Sequence, residues 1–131
     1  MALSHRDPDR DTSLMAVRGV FVNAREKRSL VAGEVLFAEG DLGKEMYGVI
    51  SGEVELLHQG RVISRVGEGE TFGELAIIDD APRTLNAVAA EATEVAVIDD
   101  RTFLFLVHET PTFALQVMRS LSQRIREHDV A

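Results

Sequence analysis

Phe72-Gly73-Glu74-Leu75-Ala76-Ile77-Ile78-Asp79-Asp80-Ala81-Pro82-Arg83-Thr84 is the stretch whose reading decides the fold. Gly73 supplies a turn, and Glu74 stands at the predicted start of a short helix. Arg83 follows at the predicted start of a strand. Amides at a helix start and a guanidinium can together hold a phosphate. A carboxylate cannot hold that phosphate, but it accepts a hydrogen bond from a sugar hydroxyl. The stretch therefore suits a small ligand in which a phosphate is joined to a ribose.

On either side of this segment, from Ser29 to Asp99, short β-rich runs alternate with glycines, the pattern of a compact all-β unit. Strands are predicted over Ser29–Val31, Val35–Ala38, Met46–Ile50, Glu53–Leu57, Arg61–Val66, Thr84–Ala89 and Glu94–Ile98, with Thr71-Phe72 leading into the segment. Val54 and Leu56 fall on the inward face and Glu53 and Glu55 on the outward one. Gln59-Gly60 reads as a two-residue hairpin turn. Before this region Ser13 to Val22 predicts a short helix capped by Ser13. After it, Asp100 is the predicted cap of a helix through Phe103 and Leu106. Thr110-Pro111 opens a second helix, with Phe113, Ala114, Val117, Met118, Leu121 and Ile125 as one apolar stripe.

Composition narrows the function. The 131 residues suit one domain with a real core, expected over 13–128 behind a disordered polar tail at 1–12. No apolar run is long enough to span a membrane, and Met1 to Asp11 lack the apolar stretch of a secretory signal, so a cytoplasmic location is expected. Zero cysteines remove disulfide and thiol chemistry. The balance of 22 acids against 14 bases gives −8 and argues against nucleic-acid binding by the domain as a whole. An anionic ligand must then be captured by a local positive site. His5, His58, His108 and His128 have no metal-ligand spacing, so a metal-dependent β-barrel enzyme is disfavoured. No nucleophile–base motif stands out either. The chain reads as a non-enzyme with no cofactor and no metal.

The quoted segment resembles the phosphate-binding cassette of the cyclic-nucleotide-binding domain family. That family includes catabolite activator proteins, kinase regulatory subunits and nucleotide-gated channels. Phe72 to Ala76 and Pro82 to Thr84 match its order and spacing, and Gly33-Glu34, Glu39-Gly40-Asp41, Met46-Tyr47 and Ser51-Gly52-Glu53-Val54 match outside it. The resemblance implies a mainly β fold: an eight-stranded, jelly-roll-like β-roll with a short N-terminal helix and two C-terminal helices. It implies a ligand site built from Phe72, Gly73, Glu74, Leu75, Ala76, Arg83, Thr84 and Leu85. In it Glu74 accepts from the ribose 2′-hydroxyl and Arg83 grips the phosphate. Without ligand, Arg83 is expected to pair with Glu74 or another acid. Thr84 can meet the phosphate or the amino group of a guanine folded back over the ribose, so cyclic GMP stays open beside cyclic AMP, the favoured ligand.

The sequence departs from the family at Leu85, where alanine is usual, at Ala87, where valine is usual, and at Lys44, where an acid is common. Leu85 and Ala87 share one side of a strand and can exchange volume. Family members often cover the base with the last helix, where Gln116, Arg119, Ser120, Gln123 and Arg124 are the polar candidates.

These features predict a stand-alone cyclic-nucleotide receptor module in signal transduction that repositions its C-terminal helices on binding. Few residues remain after Ile125, so no direct DNA binding is expected. Output runs through a protein partner or a homodimer formed along Val117, Leu121 and Ile125, and packing of that stripe on its own β-roll is the favoured alternative. A degenerate β-roll that works in protein–protein interaction or dimerisation without nucleotide is the rival function.

Overall fold

A computed structural model describes residues 19–130, with side chains described for residues 19–127. The expected tail at 1–12 and the start of the helix expected from Ser13 lie outside the described residues; residues 19–22 are helical. The strands are β1 (Lys27–Leu30), β2 (Val35–Phe37), β3 (Glu45–Ser51), β4 (Val54–His58), β5 (Arg61–Val66), β6 (Thr71–Phe72), β7 (Asn86–Ala89) and β8 (Thr93–Asp99). The helices are α1 (Leu75–Ile78), α2 (Asp100–Glu109) and α3 (Pro111–Val130).

The strands form two four-stranded sheets, in the orders β1-β8-β3-β6 and β2-β7-β4-β5. Every pairing is antiparallel. Two cores explain the two sequence patterns. Tyr47, Val49, Val95 and Val97 face the space between the sheets, where they meet Val54, Leu56, Val66, Phe37 and Phe72. Met46, Ile50, Ala96 and Ile98 face the other way, onto Phe21, Leu106, Phe113 and Val117. The first sheet is thus covered on both faces, so β3 reads as an unbroken apolar run. In the second sheet β4 buries Val54 and Leu56 and leaves Glu55 and Leu57 half-buried, hence its alternation.

Three boundaries differ from the sequence expectations. Asp99, not Asp100, caps α2: its carboxylate accepts from the Thr102 amide at 2.8 Å. That carboxyl lies below its ordinary pKa, first because of the Thr102 backbone bond. The strand expected from Thr84 begins only at Asn86. Arg83 instead tethers its loop to the one after β2, through Arg83 N–H to Asp41 O at 2.9 Å and Gly40 N–H to Arg83 O at 2.7 Å. Pro82 lacks an amide proton and helps keep this stretch out of the ladder. The apolar stripe of α3 also divides. Phe113 and Val117 are buried and Leu121 half-buried in the outer core, whereas Met118 is 58% and Ile125 60% exposed.

Candidate functional site

A cavity of about 590 Å³ opens between the second sheet, the segment 73–85 and α3. Of the residues expected to form the site, Gly73, Glu74, Leu75, Ala76, Arg83, Thr84 and Leu85 line it. Phe72 does not: it is fully buried between the sheets, stacked on Tyr47 at 5.3 Å between ring centroids. It supports the segment from behind. Leu85, which precedes the strand rather than sharing it with Ala87, packs against the inner core that buries Ala87.

Gly73 has φ +80°, a left-handed turn that glycine adopts without strain. The turn sends the chain straight into α1. The amides of Glu74 and Leu75, which precede the helical ladder, have no backbone or side-chain acceptor among the described residues. They are free donors at the cavity wall.

Arg83 is nearly buried, at 8% exposure. Its guanidinium lies over the Phe37 ring, 4.2 Å from the centroid. Nη1 donates to Gly73 O at 3.1 Å and Nη2 to Glu45 O at 2.7 Å. Two glycines make this fit. A Cβ on Gly43 would stand 2.5 Å from Nη2, and one on Gly73 3.0 Å from Nη1. Burial lowers the guanidinium pKa, and the charges of Tyr47, Glu45 and Asp41 oppose that shift. Arginine nevertheless stays protonated. Both acceptors are neutral carbonyls, and among the described residues no carboxylate forms an ion pair with Arg83. The pairing of Arg83 with an acid, expected from sequence, is therefore not the arrangement adopted.

Glu74 takes a different cation. Its carboxylate is 2% exposed and accepts from Thr71 Oγ1 at 2.7 Å and from Arg124 Nη2 at 2.5 Å. Arg124 Nη1 also donates to Thr71 O at 3.1 Å. The last helix thus reaches Glu74 through Arg124, and Leu121 and Ile125 line the cavity beside it. Of the five polar candidates on α3, Arg124 alone lines the cavity. Ser120 and Gln116 are buried against the roll, Ser120 Oγ accepting from Thr71 N–H at 3.4 Å. Arg119 is half-buried and Gln123 exposed.

Beneath Arg83 lies Tyr47, 3% exposed, whose pKa burial raises. Sequence reasoning did not assign Phe37, Gly43, Tyr47 or Thr71 to the site. The order Glu39-Gly40-Asp41 then Gly43 carried the available signal, a loop able to approach another backbone closely.

Residues 27–110 match the family model described as the cyclic nucleotide-binding domain, and the chain belongs to that family. It is 34% identical over 110 residues to the Cyclic AMP receptor protein of Thermus thermophilus, covering 80% of this chain and 51% of that one. It is 39% identical over 83 residues to cGMP-dependent protein kinase, isozyme 1, of Drosophila melanogaster, covering 63% of this chain and 11% of the kinase. The crystal structure of Thermus thermophilus Catabolite Activator Protein superposes with a TM-score of 0.69 at 31% identity, over 96% of this chain and 58% of that one. The chain spans about half the length of its Thermus relative. Among the described residues no helix is long and apolar enough to cross a membrane.

Proposed function

We propose that the cavity binds a cyclic nucleotide, cyclic AMP in first place and cyclic GMP in second, and that the chain is a non-enzymatic receptor module working in the cytoplasm. The observation that carries this reading is Arg83: a nearly buried guanidinium with carbonyl partners and no ion-paired carboxylate among the described residues. A buried charge without a counter-charge is costly. A singly charged phosphate bound at its edge relieves that cost through two charge-assisted bonds. The free amides of Glu74 and Leu75 stand on the same wall and add donors to the phosphate.

Glu74 then accepts from the ribose 2′-hydroxyl, and Leu56, Ile63, Leu121 and Ile125 offer the base an apolar slot. Thr84 lines the cavity next to Arg83 and supplies a hydroxyl for the phosphate or a guanine amino group. Because Arg124 already holds Glu74, a ribose hydroxyl enters an existing network joining the roll to α3. Ligand therefore biases where α3 sits, which is the signal passed on.

The rival reading, an interaction module without nucleotide, draws on that same ion pair: a Glu74 already satisfied by Arg124 does not require a ligand. Calorimetric titration of nucleotide-stripped protein with cyclic AMP and cyclic GMP, repeated on Arg83→Ala, separates the two. One-site binding lost in Arg83→Ala supports the receptor. No heat and no thermal shift with either nucleotide leaves the interaction module.

A further inference from the structure

We propose that His58 reads the base of the nucleotide, and that Glu39 fixes the sense in which it reads. This inference rests on the cyclic-nucleotide reading of the cavity. In that reading Arg83 and Glu74 take the phosphate and ribose, which cyclic AMP and cyclic GMP share, and Thr84 lies next to Arg83. Most of the remaining wall is apolar, and His58 is a polar side chain on it outside that group.

The topology puts His58 there. It ends β4, two residues beyond Leu56, and so continues the face that points into the roll. Leu56 is core, whereas His58 stands at the rim with its side chain 47% exposed and lines the same cavity. Its Nδ1 lies 2.6 Å from Glu39 Oε1. The loop bearing Glu39 is itself pinned to the neighbouring strand, since the Glu39 amide donates to Asn86 Oδ1 at 2.8 Å. The ring is therefore held on one side and presents its other nitrogen elsewhere.

The chemistry follows from the partner. A carboxylate only accepts, so Nδ1 carries the proton. In a neutral imidazole Nε2 is then a bare acceptor. Among the described residues Nε2 has no hydrogen-bond partner. Adenine carries an exocyclic amino group where guanine carries a carbonyl oxygen. An acceptor at His58 bonds the first and repels the second. His58 is thus a specificity-determining residue, and Glu39 is a positioning residue acting through it.

The test is calorimetric titration of the full chain with cyclic AMP and with cyclic GMP at pH 8. Three proteins are compared: wild type, His58→Leu and Glu39→Gln. His58→Leu is expected to lower the cyclic AMP over cyclic GMP affinity ratio by about 5- to 10-fold, the worth of one neutral hydrogen bond. The amide introduced by Glu39→Gln can donate to Nδ1 and leave the proton on Nε2. That variant is expected to shift the ratio the same way, chiefly by tightening cyclic GMP. Both nucleotides binding to His58→Leu with the wild-type ratio overturns the assignment of His58 and leaves the receptor reading standing. Wild-type protein that binds neither nucleotide overturns both together.

Discussion

Arg83 is placed by what its neighbours lack. Phe37 gives the guanidinium a flat surface, and Gly43 and Gly73 leave room for its edges. The fork is therefore oriented before any ligand arrives, which reduces the ordering cost of binding. Gly43→Ala tests this without touching a ligand contact. Its Cβ would meet Nη2 at 2.5 Å, a distance that real atoms avoid, so the guanidinium must move. Cyclic AMP affinity is expected to fall about 100-fold, equivalent to losing one or two charged hydrogen bonds. Calorimetry reads that loss, and the far-UV spectrum is expected to stay native. Arg83→Lys keeps the charge but loses the planar fork. It is expected to bind more weakly than wild type and better than Arg83→Ala.

Among the elements, α3 is attached to the roll by a polar seam as well as an apolar one. Ser120, Arg124 and Glu127 bond Thr71, Glu74 and Ser64, while Phe113 and Val117 fill the outer core. Removing one partner from a buried ion pair leaves the other charge stranded. Arg124→Leu is expected to cost about 3 kcal/mol in urea unfolding, the lower end for such pairs because Arg124 keeps some exposure. Amide exchange in the second half of α3 is expected to accelerate more than in β3 or β8. At the other end of the helical pair, Asp99→Ala is expected to lower stability by about 1 kcal/mol at neutral pH. The Asp99 carboxyl has a lowered folded pKa, so its contribution is full above its ordinary value and fades as pH falls through the folded one. Urea titrations at about pH 7 and about pH 3 should therefore show the gap between variant and wild type closing at the acid end.

These elements also mark how far sequence reasoning reached. Alternation at Val54–Leu56, the Gln59-Gly60 turn and the spacing of Gly73, Glu74 and Arg83 are local signals: they mark an all-β unit, and the family resemblance they carry implies the roll and the segment 73–85 that lines one side of the cavity. The partner of Glu74 was not legible, because Arg124 lies 50 residues away and five polar residues of α3 were equivalent until packing chose one. The division of the α3 stripe escaped for the same reason. Spacing gives a face but not the width of the groove that receives it. Phe72 read as a site residue because it begins the motif, yet strand pairing with Tyr47 turns it into the core.

At the scale of the whole molecule, the net charge is −8 and the proposed ligand is an anion. The far field repels what the cavity attracts. These two effects respond differently to salt. Screening lengths shrink from about 30 Å at 10 mM salt to about 10 Å at 100 mM, which weakens the distant acids first. Contacts between Arg83 and a phosphate inside the cavity are short and shielded from ions, so they change little. Association of a fluorescent cyclic AMP analogue, followed by stopped flow, is therefore expected to quicken a few-fold as salt rises over that range, with dissociation nearly constant. A nucleic-acid site behaves oppositely, losing affinity steeply with salt because counterions released into a saltier solution gain less entropy. An association rate that falls with salt would mean that the positive site, rather than the acidic surface, governs approach, and that the field of this domain is not the one its formal charge implies.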